Sequence, residues 1–161
     1  MKKRIGFMVC SLLSLSACST QAKADHMMKC DYYNKDTEGE KIFTTLFTYV
    51  KETGEAVTGK INQRYNGFEK NEVNNKVLTE MAVRNSILDG FDGVKIEVLR
   101  EDTSFQGQEV WNYRDVDIDS IMNADELQKE MIDGNERFYS KDLIEKHLEE
   151  NGYACSVSEV R

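Results

Sequence analysis

One short stretch has residue types and spacing suited to covalent modification. Leu15-Ser16-Ala17-Cys18 places a thiol directly after a leucine and two small residues. This is the lipobox pattern, in which a cysteine thiol takes a diacylglyceryl group and the peptide bond before it is cut. The flanks suit that chemistry: Lys2, Lys3 and Arg4 give a basic start, and the run from Ile5 to Leu15 gives an apolar core. That run falls short of the roughly 20 apolar residues of a spanning helix. The competing readings are an ordinary signal peptide cut near Cys18, or an uncleaved anchor. Lipidation predicts removal of residues 1–17 and a mature chain held to a bilayer by acyl (palmitate) chains on Cys18, since two or more chains anchor stably where one is marginal.

Of the four cysteines, Cys10 lies in the removed segment and Cys18 takes lipid, which leaves Cys30 and Cys155. The compartment outside the membrane permits disulfides. Cys30 lies in an expected first strand and Cys155 in an expected last one, and domain termini commonly lie close together. A Cys30–Cys155 disulfide is therefore expected, against the alternative of two buried reduced thiols.

Two further groups invite chemistry. Asp115, Asp117, Asp119 and Glu126 stand at positions 1, 3, 5 and 12 of a stretch that also has Asn123 at position 9, the ligand spacing of a calcium loop. Ser120 occupies the position where the sharp turn wants glycine. If extended, the aspartates would stand roughly 6.7 Å apart on one face, too spread to share an ion, and the competing reading is a solvated strand edge leading into a helix capped by acids. Trp111 and Tyr113 share that face. An aromatic pair beside carboxylates could hold a cationic or peptide ligand, or could pack under a neighbouring helix.

Catalytic signatures are missing. There is no GxSxG, no HExxH and no glycine-rich phosphate loop, and the sequence implies no cofactor. His147 sits beside Leu143, Ile144 and Leu148, and His26 ends a polar stretch; both read as structural or exposed residues. Carboxylates are plentiful enough that a glycosidase-like pair stays open. The removed segment carries three of the 21 basic residues and none of the 29 acids, so the mature net charge is about −11. Such a balance disfavours nucleic acid, whose binding is driven by neutralising phosphates, and disfavours tight docking on anionic lipid.

The elements that must position these residues read as follows. Residues 18–26 form a lipidated terminus and polar tether, and 27–161 a single α+β domain with an antiparallel sheet. Met27–Tyr33 is a first strand. Lys41–Val50 is a second, apolar on both faces and so expected to be covered at least partly on each. Glu55–Tyr65 alternates, with Val57, Ile61 and Tyr65 inward and Thr58, Lys60, Asn62 and Arg64 outward. Asn71–Leu88 changes to helical period, with Val73, Val77 and Met81 on one stripe. Val94, Ile96 and Val98 face the core from the first arm of a hairpin, and Val110, Val116 and Ile118 from the second. Trp111, Tyr113, Asp115 and Asp117 then fall on its opposite face. Ala124–Ile132 and a stretch capped by Ser140 and stopped by Gly152 are helices, and Tyr153–Val157 is a last strand.

This layout resembles the small YehR-type lipoproteins, bacterial proteins carrying a domain of unknown function. The resemblance runs from about Lys41 to Tyr153. It rests on Phe47-Thr48-Tyr49, the strand start at Gly93-Val94, the segment Val116-Asp117-Ile118, and the helix running into Gly152-Tyr153. It implies an anchored α+β domain, with no catalytic residues to carry over. The expectation is a cell-envelope lipoprotein facing the extracytoplasmic side, joined to the membrane through Cys18. Its domain would bind a small ligand or envelope protein without chemistry. The alternatives are a calcium-binding lipoprotein or an envelope hydrolase.

Overall fold

The computed structural model describes residues 21–37, 39–67, 72–100 and 104–160. Cys18, the start of the tether and the expected helix cap Asn71 lie outside the described residues, as do the side chains of Val73 and Val77.

Six strands form one antiparallel sheet. They are β1 (His26–Asp36), β2 (Gly39–Tyr49), β3 (Ala56–Asn66), β4 (Val94–Arg100), β5 (Ser104–Asn112) and β8 (Ala154–Glu159), in the order β4-β5-β3-β2-β1-β8. The first three are a meander joined by tight turns. Helix α1 (Glu72–Leu88) carries the chain past the site of β5 to β4. After β5 the chain must reach the far edge. It does so through a single 3₁₀ turn (Tyr113–Asp115), α2 (Ile118–Ala124), α3 (Glu126–Lys129), the small hairpin β6 (Ile132–Asp133) and β7 (Phe138–Tyr139), and α4 (Lys141–Glu150). This return path covers one face of the sheet. Met28, Cys30, Phe47, Tyr49, Trp111 and Val94 point into it and meet Ile121, Ile132, Tyr139, Ile144 and Leu148.

Several expectations change here. β2 is covered on one face only: Thr45, Phe47 and Tyr49 are buried, while Ile42 and Leu46 sit half-buried on an open face. In β3 a bulge opposite Thr48 and Tyr49 switches the alternation, so that Ala56 enters the core and Val57 does not. The extra residue, Val57, puts the side chains on its two sides out of step, while Ile61 beyond it keeps the inward side expected. The second hairpin arm ends at Asn112, so Val116 and Ile118 are not in a strand. Val110 is 41% exposed and Val98 46% exposed, whereas Trp111 is 2% and Tyr113 8% exposed. The two sides of β5 are thus inverted relative to the sequence reading. The expected helix Ala124–Ile132 shrinks to α3, because Asp125 ends α2, its carboxylate accepts from Leu127 N–H to start α3, and Ile132 already belongs to β6. His26 is tucked in, its ring 5.7 Å from that of Tyr49.

The expected disulfide is present. Cys30 and Cys155 are directly opposed across β1 and β8, with Cα atoms 4.0 Å apart, and the bond spans 125 residues. In the chain-entropy account so long a loop confers several kcal/mol by restricting the unfolded chain. The double variant Cys30→Ala/Cys155→Ala should therefore lose about 2–5 kcal/mol. Denaturant melts of the oxidised protein, its reduced form and the variant check this; equal midpoints for all three would contradict it.

Candidate functional site

The residues singled out by sequence fall into two separate places, and a third region presents itself only in three dimensions. Trp111 and Tyr113 belong to the core. Their rings stack at 5.6 Å, and Tyr139 closes the group at 4.5 Å from Tyr113 and 6.0 Å from Trp111. Trp111 Nε1 donates to Glu109 Oε2 at 3.1 Å, and Glu109, itself 4% exposed, takes both terminal nitrogens of Arg84. Beside this pair, buried Gln128 donates to Asp125 and accepts from the Tyr139 hydroxyl. Arg84 Nε is buried without a hydrogen-bond partner, 3.9 Å from Asp125. A buried charge needs such pairing, because stripping its water is otherwise expensive. These polar groups tie α1 and α3 to the sheet, and the aromatic pair is not offered to solvent as a ligand platform.

Burial also holds the phenols protonated. It is the leading cause for each: Tyr113 is raised far above the ordinary range with Glu109 adding to the effect, Tyr139 likewise with Tyr113 next to it, and Tyr153 is pushed up to about 12. An unfolded tyrosine loses its proton near pH 10. Above that pH the unfolded chain binds fewer protons than the folded one, so stability falls with rising pH. The contribution is complete below about pH 10 and is lost as pH climbs through 10 to 12. Melting temperature measured from pH 8 to 12 should stay level and then drop steeply past 10; a flat profile to 12 would contradict the burial of these phenols.

The four carboxylates of the calcium spacing are engaged separately. Asp115 accepts from Asn112, Asp117 caps α2 through Ser120 N–H, Asp119 pairs with Arg137, and Glu126 pairs with Lys129. Among the described residues no three metal-ligating side chains gather where they could hold an ion. The physical reason is the 3₁₀ turn and Asp117 cap, which spread the aspartates along a corner rather than around a loop.

The third region lies on the open face of the sheet. Strand register aligns Met27, Thr48, Thr58 and Asn112 in one row, and Lys29, Leu46, Lys60, Val110 and Lys95 in the next. There the twisted sheet forms a trough of about 520 Å³. Leu46 and Val110 make an apolar floor, Lys60 and Lys95 stand on it, and Thr48 and Thr58 share a hydrogen bond at 2.7 Å along one side. Lys60 and Lys95 sit two strands apart, about 9.5 Å at ordinary strand spacing. Both are exposed, and neither ammonium has an ion-pair partner among the described residues. Asp115, held by Asn112, marks the far rim. Sequence alternation gives Thr58, Lys60 and Lys95 as outward residues. It does not reveal that β5 comes to lie between β3 and β4 and makes one surface of them.

Under the trough the backbone is thin. A Cβ on Gly59 would come within 2.5 Å of the Tyr113 hydroxyl, so the Tyr113 ring lies flat against bare backbone there. Gly59→Ala should push Tyr113 out of its stack with Trp111 and lower stability by about 1–3 kcal/mol. Near-ultraviolet circular dichroism and a urea melt read both effects; an unchanged aromatic spectrum would contradict this packing.

The family described as "Domain of unknown function (DUF8824)" matches residues 18–161. The chain belongs to that family. Among solved structures, this DUF8824 member is similar to the NMR structure of the YehR protein of E. coli. The TM-score is 0.55 at 9% identity, over 83% of this chain and 91% of that one. It is also similar to an NMR structure of a protein from Streptococcus pneumoniae TIGR4, with TM-score 0.49 and 16% identity over 97% and 99% of the two chains. No curated protein matches. At this identity the likeness to YehR is one of fold, and it bears out the layout read from the sequence.

Proposed function

We propose that this DUF8824 protein is a cell-envelope lipoprotein, anchored through Cys18 on the extracytoplasmic side, whose domain binds a ligand in the open-face trough and performs no chemistry. Three observations support the anchoring. The lipobox stands at Cys18, the family match begins at that same residue, and a disulfide joins the first and last strands, as suits an oxidising compartment. The observation that carries the binding reading is the trough itself. In a chain with an excess of acids it collects two lysines that have no ion-pair partner among the described residues, a hydroxyl pair and an apolar floor. Concave sites with an apolar lining and a few polar groups are where ligands ordinarily bind.

Cys18→Ala should leave the chain unprocessed or release it from the membrane fraction, read by fractionation and intact mass. An acylated, membrane-bound Cys18→Ala protein would overturn the anchoring. Lys60→Gln/Lys95→Gln should reduce recovery of envelope ligand by roughly 10-fold or more while leaving the melting temperature in place. Turnover of an envelope substrate, abolished by a single carboxylate substitution, would replace the binding reading with an enzyme.

A further inference from the structure

We infer that the trough takes the phosphate headgroup of an anionic phospholipid in the membrane that holds the protein. The domain then docks by this end of its sheet instead of swinging free on its tether. The inference rests on the anchored reading above and adds the ligand class.

The register decides the geometry. β1 begins at His26, paired with Tyr49. The row of Met27, Thr48, Thr58 and Asn112 is the next one in, and the row carrying Lys60 and Lys95 lies two residues further. The trough is therefore at the end of the sheet from which the chain leaves toward Cys18. Seven residues lie between Cys18 and His26, so the eight steps joining them have a contour of at most about 29 Å. So short a connection keeps this end of the domain beside the headgroup layer, and tethering makes the local lipid concentration high enough that a modest site is filled.

The chemistry of the trough fits that occupant. Lys60 and Lys95, unpaired among the described residues, offer ammoniums to a phosphate, and Thr48 and Thr58 offer hydroxyls. Leu46 and Val110 present apolar surface to the glycerol and upper acyl chain. Asp115 lies at the rim but is engaged by Asn112. Lys29, in the same row, is held by Asp31 at 2.6 Å and adds less. Juxtamembrane lysines are attracted by the negative surface potential of anionic lipid, and that attraction is screened by salt. The overall acidity of the chain argues against docking by its average surface. It does not argue against docking by a trough whose lining holds two lysines against one acid, Asp115, which keeps its charge while accepting from the neutral Asn112 amide.

The test uses the full chain as processed by its cell, reconstituted into vesicles of phosphatidylcholine alone or mixed with phosphatidylglycerol. Intact mass first establishes whether Cys18 is acylated. Lysines are then modified with an amine-selective reagent and each site is quantified by mass spectrometry. Lys60 and Lys95 should react more slowly by roughly 3-fold or more on the anionic vesicles, with the difference erased by high salt. Lys51, at the same end but outside the trough, and Lys146 on α4 should keep their rates. Equal rates for Lys60 and Lys95 on both vesicles would overturn the inference, as would an equal fall at Lys51. Equal protection by free glycerophosphate added to neutral vesicles would also overturn it, in favour of a soluble anion. If Cys18 carries no acyl chain, the anchored reading fails by itself. Protection by added anionic vesicles would still uphold lipid as the ligand of the trough.

Discussion

The constraint on which the structure depends is the distance between β5 and β8 in the sheet. β5 lies next to one edge and β8 forms the other, so the chain after Asn112 must cross three strands before it can pair with β1. It can do so on only one side. The segment from Tyr113 to Gly152 is spent on that crossing, and its apolar residues Ile121, Ile132, Tyr139, Ile144 and Leu148 become the second layer of the core. Two ties fix the crossing to the turn between β2 and β3. Arg114 holds Glu55 through two hydrogen bonds of 2.7 and 2.8 Å, and Lys141 N–H donates to the Gly54 carbonyl. The open opposite face, and with it the trough, is the direct result of this one-sided return.

Charge is distributed by the same logic. The core face of β5 contains a buried glutamate, Glu109, in a position that alternation alone would assign to an apolar residue. It is tolerated because α1 delivers Arg84 to it and Trp111 donates its indole N–H. Leaving such a carboxylate unpaired in the interior would be strongly destabilising. The ion pair thus specifies how α1 sits on the sheet more than it adds net stability.

Much of the architecture was legible because local pattern and fold agree. The period change at α1, the α4 stripe of Ile144 and Leu148 stopped at Gly152, and the pairing of the end strands through Cys30 and Cys155 follow from sequence. What failed did so where a side chain acts on backbone. The bulge at Val57 leaves no composition signal, and it moved the core position from Val57 to Ala56. Of the two readings of the acidic stretch after Asp115, the helix capped by acids is the one that forms, with Asp117 and Asp125 as the caps. Trp111 and Tyr113 read as a surface pair because Val110 was given the core. The aromatic side wins, since burying two large rings over Gly59 removes far more apolar area than burying one valine. The trough could not be read at all, since its two lysines lie on β3 and β4, strands that meet only across β5.

The placement of β1 has a mechanical consequence. Tension applied at its N-terminal end acts along the strand, against antiparallel neighbours on both sides. The β1–β2 ladder spans eleven paired positions and is loaded in shear, so its hydrogen bonds resist together instead of opening one at a time. On the other flank the Cys30–Cys155 link is a covalent stop that passes the load into β8 and the end of α4. Asp25 adds a clasp at the point of attachment, donating its N–H to Tyr49 and accepting from Val160. A pull passed to Asp25 from the proposed anchor at Cys18 would thereby be shared between β2 and β8 instead of peeling β1 away from one side.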